Sequence, residues 1–316
     1  MFLSVEITLH WVQESRGKTP PVDPRFQTFA AFLHDVRGNS PRTIHKKLVH
    51  LSEFFHYRGN RGVAGLPIGL PEIDAYIVTC RQRFARRTVA GICSTIRSYL
   101  QFLHVTGVID VDLATSVPAP IIRTDEQPHR ALPWTDVQRI LHAVDRACPK
   151  GRRDYALLLM MSVYGLGAGE VIRISLDDID WQAAKFRIKR PKTDVEFQLP
   201  LLPPVARALL DYLKRGRPAY TPSRHLFVTM RTPFKSLACS TTVWWILHST
   251  AQRADVTAPF LGTHALRHTQ ACRQLELGVA PKIIGDILGH RDPKSTSAYL
   301  RVTSDRLRDL SLPVPV

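Results

Sequence analysis

Residues 263–278 read THALRHTQACRQLELG and residues 287–300 read ILGHRDPKSTSAYL. In the first stretch His264 and Arg267 are three apart, so on a helix they project from neighbouring positions of one face. In the second, His290 follows Leu288-Gly289 and Tyr299 stands nine residues further on. Taken singly, a tyrosine near the end of a chain is ordinary half-buried packing and a lone loop histidine is a satisfied polar group. The information lies in the order: H-x-x-R-H, then L-G-H, then Y, within about 35 residues.

Upstream, Trp134-Thr135 opens a second domain, with Thr135 expected to cap the helix DVQRILHAVDRA. The helix RRDYALLLMMSVYG follows, then a β-hairpin AKFRIKRPKTDVEFQLPL, whose residues alternate on both sides of a Lys-Thr-Asp turn. The helix VARALLDYLKRG, a short strand HLFV and several helices from Thr241 onward complete it. Further upstream, Ser40 and Pro41 cap and open a helix in which Ile44, Leu48, Leu51 and Phe54 or Phe55 recur at helical steps. Helices are also expected at about 26–38, 71–84 and 87–105. The proline-rich, aperiodic stretch from Thr115 to Pro133 reads as a linker. The division is therefore a lead-in at 1–21, a helical bundle at 22–112, a linker at 113–127 and a mixed domain at 128–316. The fold class is mainly α with one small β-hairpin or sheet.

Length and charge agree with that division. The 316 residues are enough for about two domains, each able to bury a core without staples. The 43 Lys+Arg against 27 Asp+Glu leave a net +16, which calls for a polyanionic partner, nucleic acid being the commonest. The excess is +5 in residues 1–112 and +11 in 113–316, so both halves are candidates to touch it. Arg42, Lys46 and Lys47, with Arg83, Arg86 and Arg87, are the candidate phosphate contacts of the bundle. Five scattered cysteines without a CxxC pair argue against a disulfide framework or zinc ribbon. The N-terminus has no basic n-region, and no apolar run reaches the length of a membrane span. A cytoplasmic protein of the bacterial nucleoid, with no membrane partner, is expected.

The motif set resembles the tyrosine recombinase (phage integrase) family, and the preceding bundle resembles that family's SAM-like core-binding module. The resemblance implies site-specific cleavage and rejoining of double-stranded DNA. Tyr299 would attack a phosphate in line, forming a 3′-phosphotyrosyl adduct while a 5′-hydroxyl leaves; the stored ester lets strands rejoin without ATP. Arg267 offers a planar fork to the non-bridging oxygens, and His264 and His290 can donate to the same phosphate or move protons. Lys192, in Pro191-Lys192-Thr193, looks like the family's lysine that protonates the leaving oxygen, with Lys189 as the fallback. No metal and no small-molecule cofactor is implied. A homotetramer or mixed tetramer closing as clamps on paired DNA sites is implied, with the tail RLRDLSLPVPV (306–316) exchanged between protomers or packed in cis.

One departure stands out. The family expects an arginine in G-L-R-x-x-E after an RD-x-A-L-L helix, and here the segment is Gly165-Leu166-Gly167-Ala168-Gly169-Glu170. Gly167 stands where that arginine belongs, and one such donor is worth roughly 3–4 kcal/mol in a transition state. Arg173 is six residues on, about 240° round a helix and about 9 Å along it, a poor replacement. An arginine from elsewhere in the chain, or from a neighbouring protomer, is a second option. The third is a DNA-binding architectural subunit of a mixed assembly that cleaves weakly or not at all alone. A type IB topoisomerase-like enzyme shares the nucleophile but needs no paired sites. Other chemistries fit less well: the glycines miss the dinucleotide spacing, Ala265 replaces the glutamate of a zinc-binding H-E-x-x-H helix, and Asp177, Asp178 and Asp180 read as a turn before a strand.

Overall fold

The structure is a computed structural model that describes residues 24–62, 68–122, 131–190, 196–237 and 239–289. It divides into two compact units, Met1–Glu126 and Gln127–Val316.

The first unit is helical. A 3-10 turn (Pro24–Phe26), an α-helical turn α1 (Gln27–Ala31) and a π turn (Phe32–Val36) run on continuously. Helices α2 (Pro41–Gly59), α3 (Leu70–Arg83) and α4 (Arg86–Val105) follow. Ser40 caps α2 by accepting from the Thr43 amide at 3.4 Å, with Pro41 at the first helical position. The core between them is aromatic: Phe26, Phe29, Phe54 and Tyr99 are buried against one another, with edge-on ring pairs such as Phe29–Tyr99 at 5.1 Å. Residues 113–117, read from the sequence as the start of the linker, belong to this unit instead. Ala114 and Val117 are buried in the bundle core, and Arg97 donates to the Val117 carbonyl from Nη2 at 2.6 Å. Their small apolar side chains had somewhere to go that local periodicity does not reveal.

The second unit is built round one buried helix. Helix α5 (Trp134–His142) precedes α6 (Pro149–Tyr164), in which nearly every side chain from Arg153 to Tyr164 is buried. Such a helix, apolar on all sides, must be wrapped by neighbours. It ends at Gly165, whose φ of +64° is left-handed, and a Cβ there would lie 2.9 Å from Leu288 Cδ2. Thr135 does not cap α5: Pro133 occupies the cap position, and no side chain completes it. A short helix α7 (Ala168–Val171) leads to a three-stranded antiparallel sheet in the order β1 (Ile179–Asp180), β2 (Lys185–Lys189), β3 (Glu196–Pro200). The expected hairpin is β2 and β3, with Ile188 opposite Phe197 and Lys189 opposite Glu196. The Tyr164 hydroxyl donates to the Pro200 carbonyl at 2.8 Å and accepts from the Leu202 amide at 2.9 Å, tying the sheet to α6.

Helices α8 (Pro203–Arg215), α9 (Ser240–Arg253), α10 (Thr263–Glu276) and α11 (Pro281–Leu288) close the unit. HLFV is not a strand; it makes only the isolated bridges Ser175–His225 and Val228–Ser236. Asp177 and Asp178 pair with Arg224 and Arg187, so they pin the turn before β1. Among the described residues no helix is long and apolar enough to cross a membrane, and no acidic, histidine or cysteine group could hold a metal.

A buried ion pair anchors the start of α6. Arg153 donates from Nη2 to Asp154 Oδ1 at 2.6 Å and from Nη1 to the Val228 carbonyl at 3.0 Å. Arg153→Ala leaves Asp154 in a dry core with only Lys150 as counter-charge. The expected cost is about 3 kcal/mol, read from urea unfolding by tryptophan fluorescence; four of the five tryptophans lie in this unit.

Candidate active site

Where α6 ends, the chain turns at Gly165 and Leu166 and re-enters a helix at Gly167. Gly167 is extended (φ −72°, ψ 151°), so its conformation suits any residue. The Glu170 carboxylate folds back to accept the Gly167 amide at 2.7 Å, satisfying one of the free N–H groups at that helix start. The same oxygen, Oε2, accepts from Arg267 Nη1 at 3.0 Å. Both side chains are largely buried, 11% exposed for Glu170 and 14% for Arg267. Arg267 Nη2 donates to the Leu288 carbonyl at the end of α11.

The helix α10 therefore delivers Arg267 into a pocket formed by the 165–170 turn and the end of α11. His264 lies one turn earlier on α10 and is exposed, at the solvent mouth of the same helix face. A Cβ at position 167 would stand 3.6 Å from Arg267 Nη1 and 3.4 Å from Glu170 Oε2, so the position borders the guanidinium directly. Arg173 is exposed in the turn after α7.

A second guanidinium, unnoticed in the sequence, reaches the same place. Strand β2 alternates: Lys185, Arg187 and Lys189 are exposed, whereas Phe186 and Ile188 are buried. Arg190 continues the buried register and is only 5% exposed. It donates from Nη2 to the Ile287 carbonyl, one residue before the carbonyl that Arg267 uses. Its guanidinium lies 4.4 Å over the Phe197 ring and against the backbone of Gly289, where any Cβ would fall on it. Burial pushes the Arg190 pKa down from the usual arginine range; Glu170 opposes the shift and Arg267 adds to it. The signal was present: a charged residue in step with Phe186 and Ile188 had to enter the core. Lys189, the fallback for the lysine role, points to the other face and meets Glu196 at 4.0 Å.

His290, Tyr299 and Lys192 lie outside the described residues. The described part of the site contains Arg267 and His264, together with Glu170, Arg190 and Gly167.

On the first unit the basic residues gather along the seam between α2 and α4. Lys47 donates to Ser98 Oγ at 2.7 Å, and burial followed by the charge of Arg37 lowers its pKa. Lys46 lies about 4 Å from where a Cβ on Gly91 would stand, one turn after Arg87. Arg86 and Arg87 occupy the first turn of α4, which has no acidic residue and no side-chain cap. Cations at the positive end of a helix are electrostatically unfavourable on their own. Arg42 is exposed on the first turn of α2.

Glu170→Gln removes the charge facing Arg267 while keeping an acceptor. The expected loss is about 2 kcal/mol, measured as a lower urea midpoint at unchanged m-value; an unchanged midpoint would mean that the pair is solvated.

Comparison with known proteins identifies the family. The model of the phage integrase family matches residues 130–306. A putative integrase/recombinase, y4rA, of Sinorhizobium fredii is 32% identical over 295 residues, covering 93% of this chain and 71% of that protein. The tyrosine recombinase XerD of Listeria innocua is 28% identical over 290 residues, covering 89% and 95%. Among solved structures, a lambda integrase (75–356) dimer bound to a COC′ core site superposes with a TM-score of 0.66 at 18% identity, covering 87% of this chain and 93% of that one. XerH site-specific recombinase on a palindromic difH substrate, a post-cleavage complex, gives 0.66 at 14% identity, covering 93% and 90%. With the motif order, the fold and a match over more than half its length, the chain belongs to the phage integrase family of tyrosine recombinases.

Proposed function

We propose that the chain is a site-specific DNA recombinase that cuts and rejoins strands through Tyr299. The observation that carries this reading is Arg267, a buried guanidinium that ends at the Leu288 carbonyl, two residues before His290 in the chain. In the reaction, the Tyr299 oxygen forms a bond to phosphorus as the P–O5′ bond breaks. The phenolic proton is lost to a base, and one proton is delivered to the departing 5′ oxygen. Arg267 holds charge on the non-bridging oxygens, and Glu170 keeps that guanidinium in place before DNA arrives. His264 and His290 serve as donors or proton carriers, and Lys192 as the acid for the leaving group. Attack by a 5′-hydroxyl on the phosphotyrosine reverses the step and reseals a strand without a cofactor. Assembly as a tetramer on paired sites is part of the same reading; solved relatives include a lambda integrase tetramer bound to a Holliday junction.

For the first unit we assign DNA contact to the stripe Arg42, Lys46, Lys47, Arg86 and Arg87. The support is the pair of arginines in the first turn of α4, a turn with no acidic residue of its own, where a phosphate would meet both the helix N-terminus and the guanidiniums. Replacing Lys46 and Arg87 together by alanine should weaken DNA binding and lower the slope of log K against log salt by about 2. A slope unchanged in a filter-binding titration would assign both residues to solvent.

Gly167 favours one rival, a partner-dependent subunit that binds DNA and cleaves weakly alone. Covalent trapping on nicked duplexes built from DNA flanking the gene separates the two. A recombinase gives a protein–DNA adduct with wild type and none with Tyr299→Phe. DNA binding without any adduct, on a substrate that Gly167→Arg does cleave, would establish the rival.

A further inference from the structure

We propose that Arg190 supplies the guanidinium that the family pattern places at position 167, so that the scissile phosphate is held between Arg190 and Arg267. The inference rests on the phosphotyrosyl reading and adds to it a residue that the motif does not contain.

Three observations converge. First, Arg190 and Arg267 donate to the consecutive carbonyls of Ile287 and Leu288. Two guanidiniums from separate elements thus end side by side at the C-terminus of α11, where the helix dipole offers partial negative charge. Second, charge does not balance. Among the described residues, Glu170 is the one carboxylate placed against these two cations, which leaves one positive charge in a largely dry pocket. A phosphodiester carries one negative charge, and the transition state more, so the surplus matches the ligand. Third, Arg190 is under-bonded: its Nε is buried and finds no hydrogen-bond partner among the described residues. A buried guanidinium with a free N–H is costly unless a ligand completes it.

Local construction supports the assignment. Strand parity directs Arg190 inward, Phe197 holds the flat face of its guanidinium, and Gly289 leaves room that a Cβ would fill. Gly289 precedes His290 directly, so Arg190 lies beside the chain that carries a candidate catalytic histidine. At position 167 the absent side chain leaves the flank of Arg267 open. One guanidinium has left the α7 turn, and another enters the same pocket from β2.

The test uses the full-length chain and, as probe, nicked fragments of the genome that encodes it, with protein-linked DNA quantified after denaturation. Arg190→Gln should lower the rate of adduct formation roughly 10²–10³-fold, with DNA affinity within a few-fold of wild type. Adding Gly167→Arg to Arg190→Gln should recover at least tenfold of that loss, which a purely structural role would not allow. If Arg190→Gln fails to fold, Arg190→Lys carries the test, because it keeps the charge but loses the planar fork and should fall in the same direction. Adduct formation within threefold of wild type in either folded variant would overturn the proposal, as would a loss that Gly167→Arg does not restore. An adduct seen only with Gly167→Arg would overturn the role of Arg190 while leaving the Tyr299 chemistry standing. No adduct from any variant would overturn both.

Discussion

The second unit turns on one contact between residues 97 apart in sequence, Arg267 with Glu170. A carboxylate and a guanidinium this dry are expensive to remove from water singly. Each therefore fixes the other, and with them the turn after α6 and the first half of α10. Glu170 also accepts the Gly167 amide, so one carboxylate both starts the short helix α7 and orients the arginine. The Arg267 guanidinium is thereby held by two protein acceptors, Glu170 at Nη1 and the Leu288 carbonyl at Nη2, so that its orientation is fixed by the fold itself.

The sheet acts as the second arm of the site. Its three short strands would be marginal alone, and they are stabilised by packing Phe186 and Ile188 onto α6, with Phe186 set 4.8 Å from the Tyr164 ring. Because the side-chain period of a strand is two, the register that buries those residues also commits Arg190 to the interior. Lys189, one residue earlier, is committed to the opposite face. The burial of Arg190 thus depends on a register: a one-residue slip in β2 would exchange a buried guanidinium for an ammonium.

Much of the architecture was legible from local pattern. The helices at 41–59, 86–105, 149–164 and 203–215 follow from their apolar residues, the first also from its Ser40-Pro41 start, and the β2–β3 hairpin from alternation on its two strands. What failed did so for identifiable reasons. HLFV has the composition of a strand, but its backbone finds a partner only at single residues. Thr135 is a good capping residue displaced by Pro133, whose fixed φ begins α5 two residues earlier. The stretch 113–117 reads as linker because its few apolar residues lack a period, yet Val117 is buried in the bundle core.

The candidate site divides in the same way. Tyr299, His290, His264 and Arg267 are candidates by motif order, since they fall in short segments with fixed spacing, and Lys192 is a candidate by its Pro-Lys-Thr setting. The glycine at 167 was equally plain. Glu170 as the partner of Arg267, and Arg190 as a second guanidinium beside it, were not. Spacing along one helix or strand is a local quantity, and the sequence by itself determines it. Which residues from four separate elements share a dry pocket is decided by packing, because burial leaves each charge no water and so selects the neighbour that satisfies it. The sequence determined the family, most of the helices and the order of the candidate reacting groups. Only the tertiary structure decided which arginines stand together and which carboxylate holds Arg267.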